Sequence, residues 1–469
     1  MSAVESTGRI ALLGRPLPAM PLSRLPAEML AVALLTGLFL LAALGNGFPI
    51  IFYDTGAYVL EGFAHVFIAE RAPVYSLFLK YAGGPQSLWY VAIAQCAIVA
   101  FVAVEFARAL KPALPLWTML ALGALLAIAT GLPWYSGQIE PDCFAPVAPI
   151  AIYLLAFHKL GWARSLTLAA LAALSTAVHF SHLAVAAGLL LVLGLLRLAA
   201  QFEGRLPRPA LALPALSVAA GLALVLAANY SFTRHIFVSR AGSVFLAARM
   251  MQDGLIKPVL DQDCPNPKLR LCAYKDNLPR RADAYLWEEK ISPFFRLGGF
   301  RKMDAESAFL VRESLAQAPL ENLAWAGIDT ALQFFAYPTG DGIEAQEWVL
   351  DPEFRRTIPK QMAVYQAAYQ QRGDLWFLPL NLLHVPAAFA SVALLFVMLR
   401  RRLRAGDWNG ASLPAFIFVA LLGNAFVCGV FSGPHFRYQS RMMWWPALAA
   451  MLIVGPRIPA LRQGFESGT

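Results

Sequence analysis

Three carboxylates stand where polar segments of the sequence meet long apolar stretches. Asp54 follows the first apolar stretch, and Glu140 and Asp142 directly precede another. A carboxylate placed there can take a proton from a hydroxyl group or hold a divalent metal ion against phosphate. We therefore predict that Asp54, Glu140 and Asp142 are catalytic, and that the same three residues are the ligands if a metal ion takes part.

Each of these carboxylates also has a purely structural interpretation. Asp54 would cap the helix that follows it by accepting hydrogen bonds from free backbone N–H groups. Glu140 and Asp142 would cap the next helix, with Pro141 in its first turn. Two acids in so short a segment exceed what a cap needs, so we favour a catalytic role for at least one of them.

Arginines stand at the same boundaries. Arg71 lies in the segment after Asp54, and Arg437 and Arg441 are one helical turn apart before the last apolar stretch. The planar guanidinium fork suits phosphate oxygens, so we predict that these three bind a donor phosphate. The alternative is that their long side chains only reach from the membrane to its polar surface.

Aromatic and histidine side chains surround these charges and are candidates for substrate binding. For the histidines, the alternative is an interfacial residue with one satisfied ring nitrogen. The candidates are Tyr53, Tyr58, His179, His182, His435 and Tyr438.

The composition indicates the elements that must position these residues. Of 469 residues, 58% are hydrophobic and 14% charged, whereas globular domains average about 45–50% and about 25%. Mean hydropathy is +0.56. Because one span needs about 20 apolar residues, we predict an all-α polytopic membrane protein with about ten transmembrane helices. The predicted spans are 27–46, 87–107, 116–133, 141–157, 164–180, 182–199, 209–230, 376–399, 411–431 and 439–455.

The distribution of basic residues predicts the orientation. With the amino terminus inside, inner segments carry sixteen Lys and Arg, and the short outer loops carry four. Cytoplasmic segments carry such an excess, so both termini are predicted to be cytoplasmic. The net charge of +9 therefore reflects membrane insertion, and no nucleic-acid partner is expected.

This orientation divides the chain into four parts. A cytoplasmic tail, 1–26, precedes seven spans in 27–230, whose outer loops 47–86 and 134–142 carry the candidate catalytic residues. A mostly helical outer-face domain, 231–375, holds eighteen basic and eighteen acidic residues, with helices predicted at 304–317 and 321–335. The last three spans and a cytoplasmic carboxyl terminus occupy 376–469.

Two cysteines fall in the outer-face domain. Cys264 and Cys272 bracket a short loop, and an oxidising compartment would allow a disulfide between them. Two free thiols are the equal alternative. Cys96 and Cys428 lie within spans and are expected to be packing residues, and Cys143 has no evident partner.

The order of these features resembles the GT-C superfamily of integral-membrane glycosyltransferases. These enzymes use polyprenyl-phosphate sugars and include the protein mannosyltransferases and the lipid A aminoarabinose transferases. The resemblance rests on an acid after the first span, a following Arg-x-Pro-x-Tyr-x-Leu-Phe-Leu stretch, a second acidic site, a Ser-His-Leu turn and a late Arg-Tyr pair. The matching residues are Asp54; Arg71, Pro73, Tyr75, Leu77, Phe78 and Leu79; Glu140 or Asp142; Ser181, His182 and Leu183; and Arg437 with Tyr438.

The resemblance implies a role for several of these residues. Asp54 would be the catalytic base or an acceptor-site carboxylate, and Glu140 and Asp142 would bind a metal ion or orient the acceptor. Arg437 would bind the donor phosphate. Transfer would invert the anomeric carbon, and no nucleotide sugar is expected. Any further cofactor is limited to a divalent metal ion.

We therefore expect a glycosyltransferase that moves a sugar from a polyprenyl-phosphate donor to a lipid, glycan or protein acceptor at the outer leaflet. The composition suggests a bacterial inner membrane, with the active site facing the periplasm. One alternative is a transporter or flippase of lipid-linked saccharides, which the scarcity of ionisable residues at mid-span disfavours. Another is a polymerase or ligase that joins such saccharides.

Overall fold

The computed structural model of the chain describes residues 25–266 and 269–457. Most of the predicted cytoplasmic tail, 1–26, and the end of the chain after 457 lie outside these residues. The first half of the described chain consists of helices joined by loops. Its helices are α1 (Leu25–Phe39), α2 (Leu41–Asn46), α3 (Thr55–Ala64), α4 (Pro73–Tyr81), α5 (Leu88–Leu110), α6 (Leu116–Ala129), α7 (Leu132–Ser136), α8 (Val147–Phe157), α9 (Trp162–Ala177), α10 (Phe180–Phe202) and α11 (Ala212–Thr233), with a 3-10 turn at Pro141–Phe144 before α8.

The second half continues in the same way. Short helices follow α11, and long apolar helices return near the end. They are α12 (Gly242–Gln252), α13 (Ile256–Asp263), α14 (Ala282–Trp287), α15 (Pro293–Arg296), α16 (Gly299–Lys302), α17 (Asp304–Gln317), α18 (Pro319–Phe334), α19 (Glu347–Thr357), α20 (Met362–Ala367), α21 (Leu378–Arg404), α22 (Trp408–Phe431), α23 (Phe436–Ser440) and α24 (Trp444–Val454), with 3-10 turns at Arg270–Tyr274, Pro359–Gln361 and Gly455–Arg457.

The protein is a helical membrane protein, as the sequence predicts. Six helices are long and apolar enough to cross a bilayer, and two shorter apolar helices, Leu116–Ala129 and Pro141–Phe157, accompany them. Each of the ten predicted spans coincides with a helix, but only six reach full length, so the count of ten stays a prediction. The six are Pro26–Asn46, Leu88–Leu110, Phe180–Phe202, Ala212–Thr233, Leu378–Arg404 and Trp408–Phe431.

The segment predicted as an outer-face domain packs as two parts. Side chains of α12–α17, such as Val244, Leu260 and Phe294, form their own hydrophobic core, and we call these helices the separately packed part. Side chains of α19 and α20, such as Phe354 and Tyr365, instead join the core of the apolar helices. The helix predicted at 304–317 is confirmed as α17, and the one at 321–335 as α18. The second part thus packs directly on the helices that carry the candidate site.

Cys264 and Cys272 are joined by a disulfide, which selects between the two alternatives. The bond lies between α13 and the 3-10 turn Arg270–Tyr274. Cys96, Cys143 and Cys428 are free and buried. The disulfide therefore closes a loop in the separately packed part, away from the apolar helices.

Candidate functional site

The two candidate loops are joined backbone to backbone. In the described chain, Ile50 forms an isolated parallel bridge with the second loop. The Ile50 N–H donates to the Gly137 carbonyl over 3.0 Å, and the Ile139 N–H donates back to Ile50 over 2.8 Å. Because Asp54 and Glu140 follow this bridge within a few residues, the bridge brings the two acids to one place.

The buried side chain of Gln95 supports this bridge. The Gln95 amide nitrogen donates to the Gln138 carbonyl over 2.6 Å and to the Ser136 carbonyl over 3.2 Å. Its oxygen accepts a 2.7 Å bond from the Tyr75 hydroxyl. Tyr75 belongs to the stretch that carries the family resemblance, and this contact shows what it does here. Gln95 was missed in the sequence, although a glutamine inside an apolar span is a signal for such a role.

Arginines and aspartates alternate along the site. Arg71 pairs with Asp54 at 2.6 Å, and Arg441 pairs with Asp142 at 2.5 Å. Arg437 lies between the pairs, 3.8 Å from Asp54 and 3.7 Å from Asp142. These five side chains form one row, which we call the arginine–aspartate chain. Residues that are far apart in the sequence thus meet in one row of alternating charges.

Burial separates the alternatives that the sequence leaves open. Asp54 stands before α3 but its side chain makes no capping hydrogen bond, and the same holds for Glu140 before the 3-10 turn. The Arg441 side chain is 0% exposed and that of Arg437 is 11% exposed, so neither reaches out to the membrane surface. The capping and surface interpretations therefore do not describe these residues.

Glu140 is buried beside this chain and differs from its neighbours. Only 1% of it is exposed, and its carboxylate accepts a 3.4 Å hydrogen bond from the Thr55 hydroxyl. Burial, followed by the negative charge of Asp54, raises the pKa of Glu140 well above its usual range, and Arg437 offsets this only in part. This shift favours the protonated form of Glu140, which can donate a hydrogen bond.

Arg437 is held by aromatic rings as well as by charge. Its guanidinium lies 4.0 Å from the Phe52 ring centroid and 4.8 Å from that of Tyr438. One of its nitrogens also donates to the Tyr438 hydroxyl over 3.3 Å. Stacking fixes the plane of the guanidinium, and both of its aspartate distances exceed hydrogen-bond length. Arg437 is thus oriented but can still donate to an anion.

His435 is clamped between two carboxylates at the rim of the site. Its ring nitrogens lie 3.6 Å from Asp283 and 3.7 Å from Asp341. Burial works to lower the pKa of His435, but the two carboxylates raise it to about 10. Asp341, which the sequence analysis did not select, also accepts a 3.3 Å bond from the Arg437 backbone N–H. A protonated His435 thus ties the separately packed part to the arginine–aspartate chain.

Arg71, at the other end of the arginine–aspartate chain, also contacts the separately packed part. The Arg71 guanidinium lies 5.9 Å from the Tyr58 ring and 5.6 Å from the Trp287 ring. Trp287 was missed because nothing in the sequence links α14 to the first loop. Tyr53 is engaged differently, since its hydroxyl donates to the Glu344 carboxylate.

His179 and His182, at the start of α10, fit their structural interpretation. The His179 ring accepts a 3.2 Å bond from the Ser181 N–H and so caps α10. The His182 Nδ1 lies 3.0 Å from the Ser175 carbonyl and must donate to it. The buried Nε2 of His182 has no hydrogen-bond partner in the part of the chain that the structure describes. A substrate-binding role for both residues stays a prediction.

The donor set does not suit a divalent metal ion. Within the described ranges, no three His, Cys, Asp or Glu side chains are grouped so that they could hold one. The predicted ligands Asp54 and Asp142 already bind Arg71 and Arg441 at 2.6 and 2.5 Å, and Glu140 favours its protonated form. We derive no step through a metal ion, and its participation stays a prediction.

No family model matches the chain, and no curated protein or solved structure matches it either. The likeness to the GT-C superfamily therefore stays a prediction that rests on the residues named above. Any statement about activity has to be argued from the chemistry of the site.

Proposed function

We propose that the protein is a membrane glycosyltransferase of the GT-C type that uses a polyprenyl-phosphate sugar. The observation that carries the proposal is the arginine–aspartate chain with Glu140 beside it. Carboxylates that can take up a proton and guanidinium groups that can bind phosphate stand next to each other at the ends of apolar helices. A reaction that releases a lipid phosphate from a sugar requires both kinds of group.

In the proposed reaction, Asp54 takes the proton of an acceptor hydroxyl. The acceptor oxygen then forms a bond to the anomeric carbon of the sugar, while the bond between that carbon and the phosphate oxygen breaks. The bonding electrons leave with polyprenyl phosphate, and attack opposite the leaving group inverts the anomeric carbon. Glu140 in its protonated form orients the acceptor by donating a hydrogen bond.

The phosphate that leaves gains negative charge, and Arg437 is placed to stabilise it. Its contacts to Asp54 and Asp142 are long, so a phosphate oxygen can replace them without breaking a short ion pair. Arg71 and Arg441 are held by shorter pairs. We therefore assign phosphate binding mainly to Arg437, with Arg71 and Arg441 completing the positive surroundings.

The proposal includes a location and an orientation. Ten spans, formed by the six long helices and four shorter ones, would place both termini in the cytoplasm of a bacterial inner membrane. The site would then face the periplasm, where it meets the donor head group and a lipid, glycan or protein acceptor. A reporter fused after Arg404 tests this orientation, since the proposal places that residue inside.

The deciding experiment uses the purified protein in liposomes that contain polyprenyl-phosphate sugars and candidate acceptors. A transferase releases polyprenyl phosphate, whereas a transporter or flippase moves the intact donor between leaflets. A polymerase or ligase would instead need preassembled saccharides. Release by the wild type and its loss in Asp54→Asn supports the proposal. A well-folded Asp54→Asn variant with full release excludes Asp54 as the base. Mass spectrometry of envelope glycans in a deletion strain would identify the sugar.

A further inference from the structure

Apart from the exposed Glu321 in its first turn, helix α18 turns its polar side chains inward and its large apolar side chains outward. The buried residues of the helix are Asn322, Asp329 and Gln333. Each has a specific partner: Asn322 donates to the Ser314 carbonyl over 3.0 Å, and Asp329 pairs with Arg249. A helix that faces water shows the opposite arrangement.

Beyond its first turn, which carries the exposed Glu321, the outward face of α18 is predominantly apolar. Leu320, Leu323 and Leu332 are exposed by 79%, 70% and 59%. Ile328 is also exposed, and Phe335 continues the face just after the helix ends. Such a run of large exposed side chains marks a surface that another apolar phase covers.

Close packing joins α18 to a membrane span. Gly429 of α22 lies against it, and a Cβ on this glycine would be 2.7 Å from the Asp329 carbonyl oxygen. Small residues at such a contact let helix backbones approach closely. After α18, the Phe335 ring stacks on Phe389 of α21, with centroids 6.2 Å apart. The outward face therefore continues onto two of the helices that are long enough to cross a bilayer.

We propose that α18 is embedded in the membrane and that lipid acyl chains cover its outward face. The exposed Leu422 and Phe426 of α22, which as a span must meet lipid, continue the same kind of surface. Beyond the first turn, the exposed residues of this face offer one hydrogen-bonding group, the indole N–H of Trp325, whereas protein interfaces carry about one hydrogen bond per 100–200 Å². Lipid thus explains the face better than a second copy of the chain. The proposal revises the expectation that 231–375 lies wholly outside the bilayer, and it does not depend on the proposed catalysis.

The polar side of α18 has a clear consequence for the site. The Gln333 amide donates to the His435 carbonyl over 2.8 Å and accepts from the His435 N–H over 2.9 Å. The buried Arg249–Asp329 pair lies on the same side of the helix, where ionisable groups in a membrane are expected. Lipid on one face of α18 therefore holds the helix in place. The other face of α18 holds the segment that carries His435 and Arg437.

Spin labels test what covers the face. Single cysteines replace Leu323 or Leu332 in the full chain, which is then reconstituted in liposomes. Phe426→Cys on α22 is the lipid-facing control, and Arg312→Cys on α17, whose side chain is 73% exposed, is the water-facing control. We expect the two α18 labels to match Phe426→Cys, with oxygen collisions exceeding those of a water-soluble nickel chelate.

Two outcomes would overturn the proposal. Collision with the chelate equal to that at Arg312→Cys would place the face in water, and shielding from both reagents would place it against protein. A milder variant covers the case in which the labelled chains do not fold. The contribution of Trp325 to the fluorescence is the part that disappears in Trp325→Phe. Brominated acyl chains should quench this contribution in the wild type, and an unquenched Trp325 would contradict lipid contact.

Discussion

Asp142 and Arg441 form a 2.5 Å salt bridge although 299 residues separate them. Both side chains are almost fully buried, at 2% and 0% exposure. Asp142 precedes α8 and Arg441 precedes α24, so the bridge joins two apolar helices that are far apart in the sequence. It also forms one end of the arginine–aspartate chain.

Removing one partner of this bridge should destabilise the protein strongly. Arg441→Gln leaves the Asp142 charge buried without its guanidinium, and such losses cost about 3–5 kcal/mol. The double variant Asp142→Asn with Arg441→Gln removes both charges and should recover part of the loss. Thermal unfolding of the wild type, the two single variants and the double variant measures the coupling. Additive effects would show that the bridge contributes no coupling energy.

Asp54 and Glu140 should respond differently to amide substitution. Asp54→Asn removes the proposed base, which typically lowers turnover by about 10²–10⁴-fold. Burial and the charge of Asp54 raise the pKa of Glu140 and so favour its protonated form. Glu140→Gln keeps a neutral group that can donate a hydrogen bond and should lower turnover much less. The exposed Asp374, whose side chain is 50% accessible, supplies the control Asp374→Asn. Equal losses in the Asp54 and Glu140 variants would contradict these roles.

Arg437→Lys should weaken donor binding more than it weakens folding. Lysine keeps the charge but loses the planar group that stacks on Phe52 at 4.0 Å. We expect a higher KM for the polyprenyl-phosphate donor with a nearly unchanged melting temperature. The matched control is Arg372→Lys. The Arg372 guanidinium stacks on the Tyr369 ring at 4.2 Å, and Arg372 is not part of the arginine–aspartate chain. An unchanged KM would exclude Arg437 from phosphate binding.

The clamp around His435 should release at high pH. Its two carboxylates raise the pKa of His435 from 6.5 to about 10, so the folded protein binds this proton more tightly than the unfolded chain. The stability gained is complete below pH 6.5 and is lost as the pH rises toward and through 10. Melting temperatures of the wild type should fall across this window more steeply than those of His435→Gln. Parallel curves would argue against the clamp.

Gly342→Ala should disturb the ring that supports Arg437. Gly342 has φ +70°, and a Cβ there would lie 2.0 Å from the Phe52 ring. Gly373 has φ +75° with no atom within 4 Å of a Cβ, so Gly373→Ala carries the same backbone strain without the clash. We expect the Gly342 variant to lose more stability and more transfer activity. Equal behaviour of the two variants would show that the contact with Phe52 is unimportant.

Some of the site could be recognised from residue type alone. Asp54, Asp142, Arg437 and Arg441 are ionisable residues at the ends of apolar stretches, where charge is costly without a partner. The arginine–aspartate chain contains all four. Asp341 could not be selected, because it sits in an exposed-looking turn with glycines and receives its role only from His435 and the Arg437 backbone.

The sequence alone determined that the chain is a bundle of membrane helices, because runs of apolar residues need no partner to favour a helix in lipid. It also selected all five charged side chains that meet in the arginine–aspartate chain. Only the tertiary structure decided which acid meets which arginine, since ion pairs between distant segments depend on packing. The orientation of α18 was likewise open: polar residues at 322, 329 and 333 fit a helix that turns this stripe toward water or toward protein. Contact with α22 and Arg249 turned it inward.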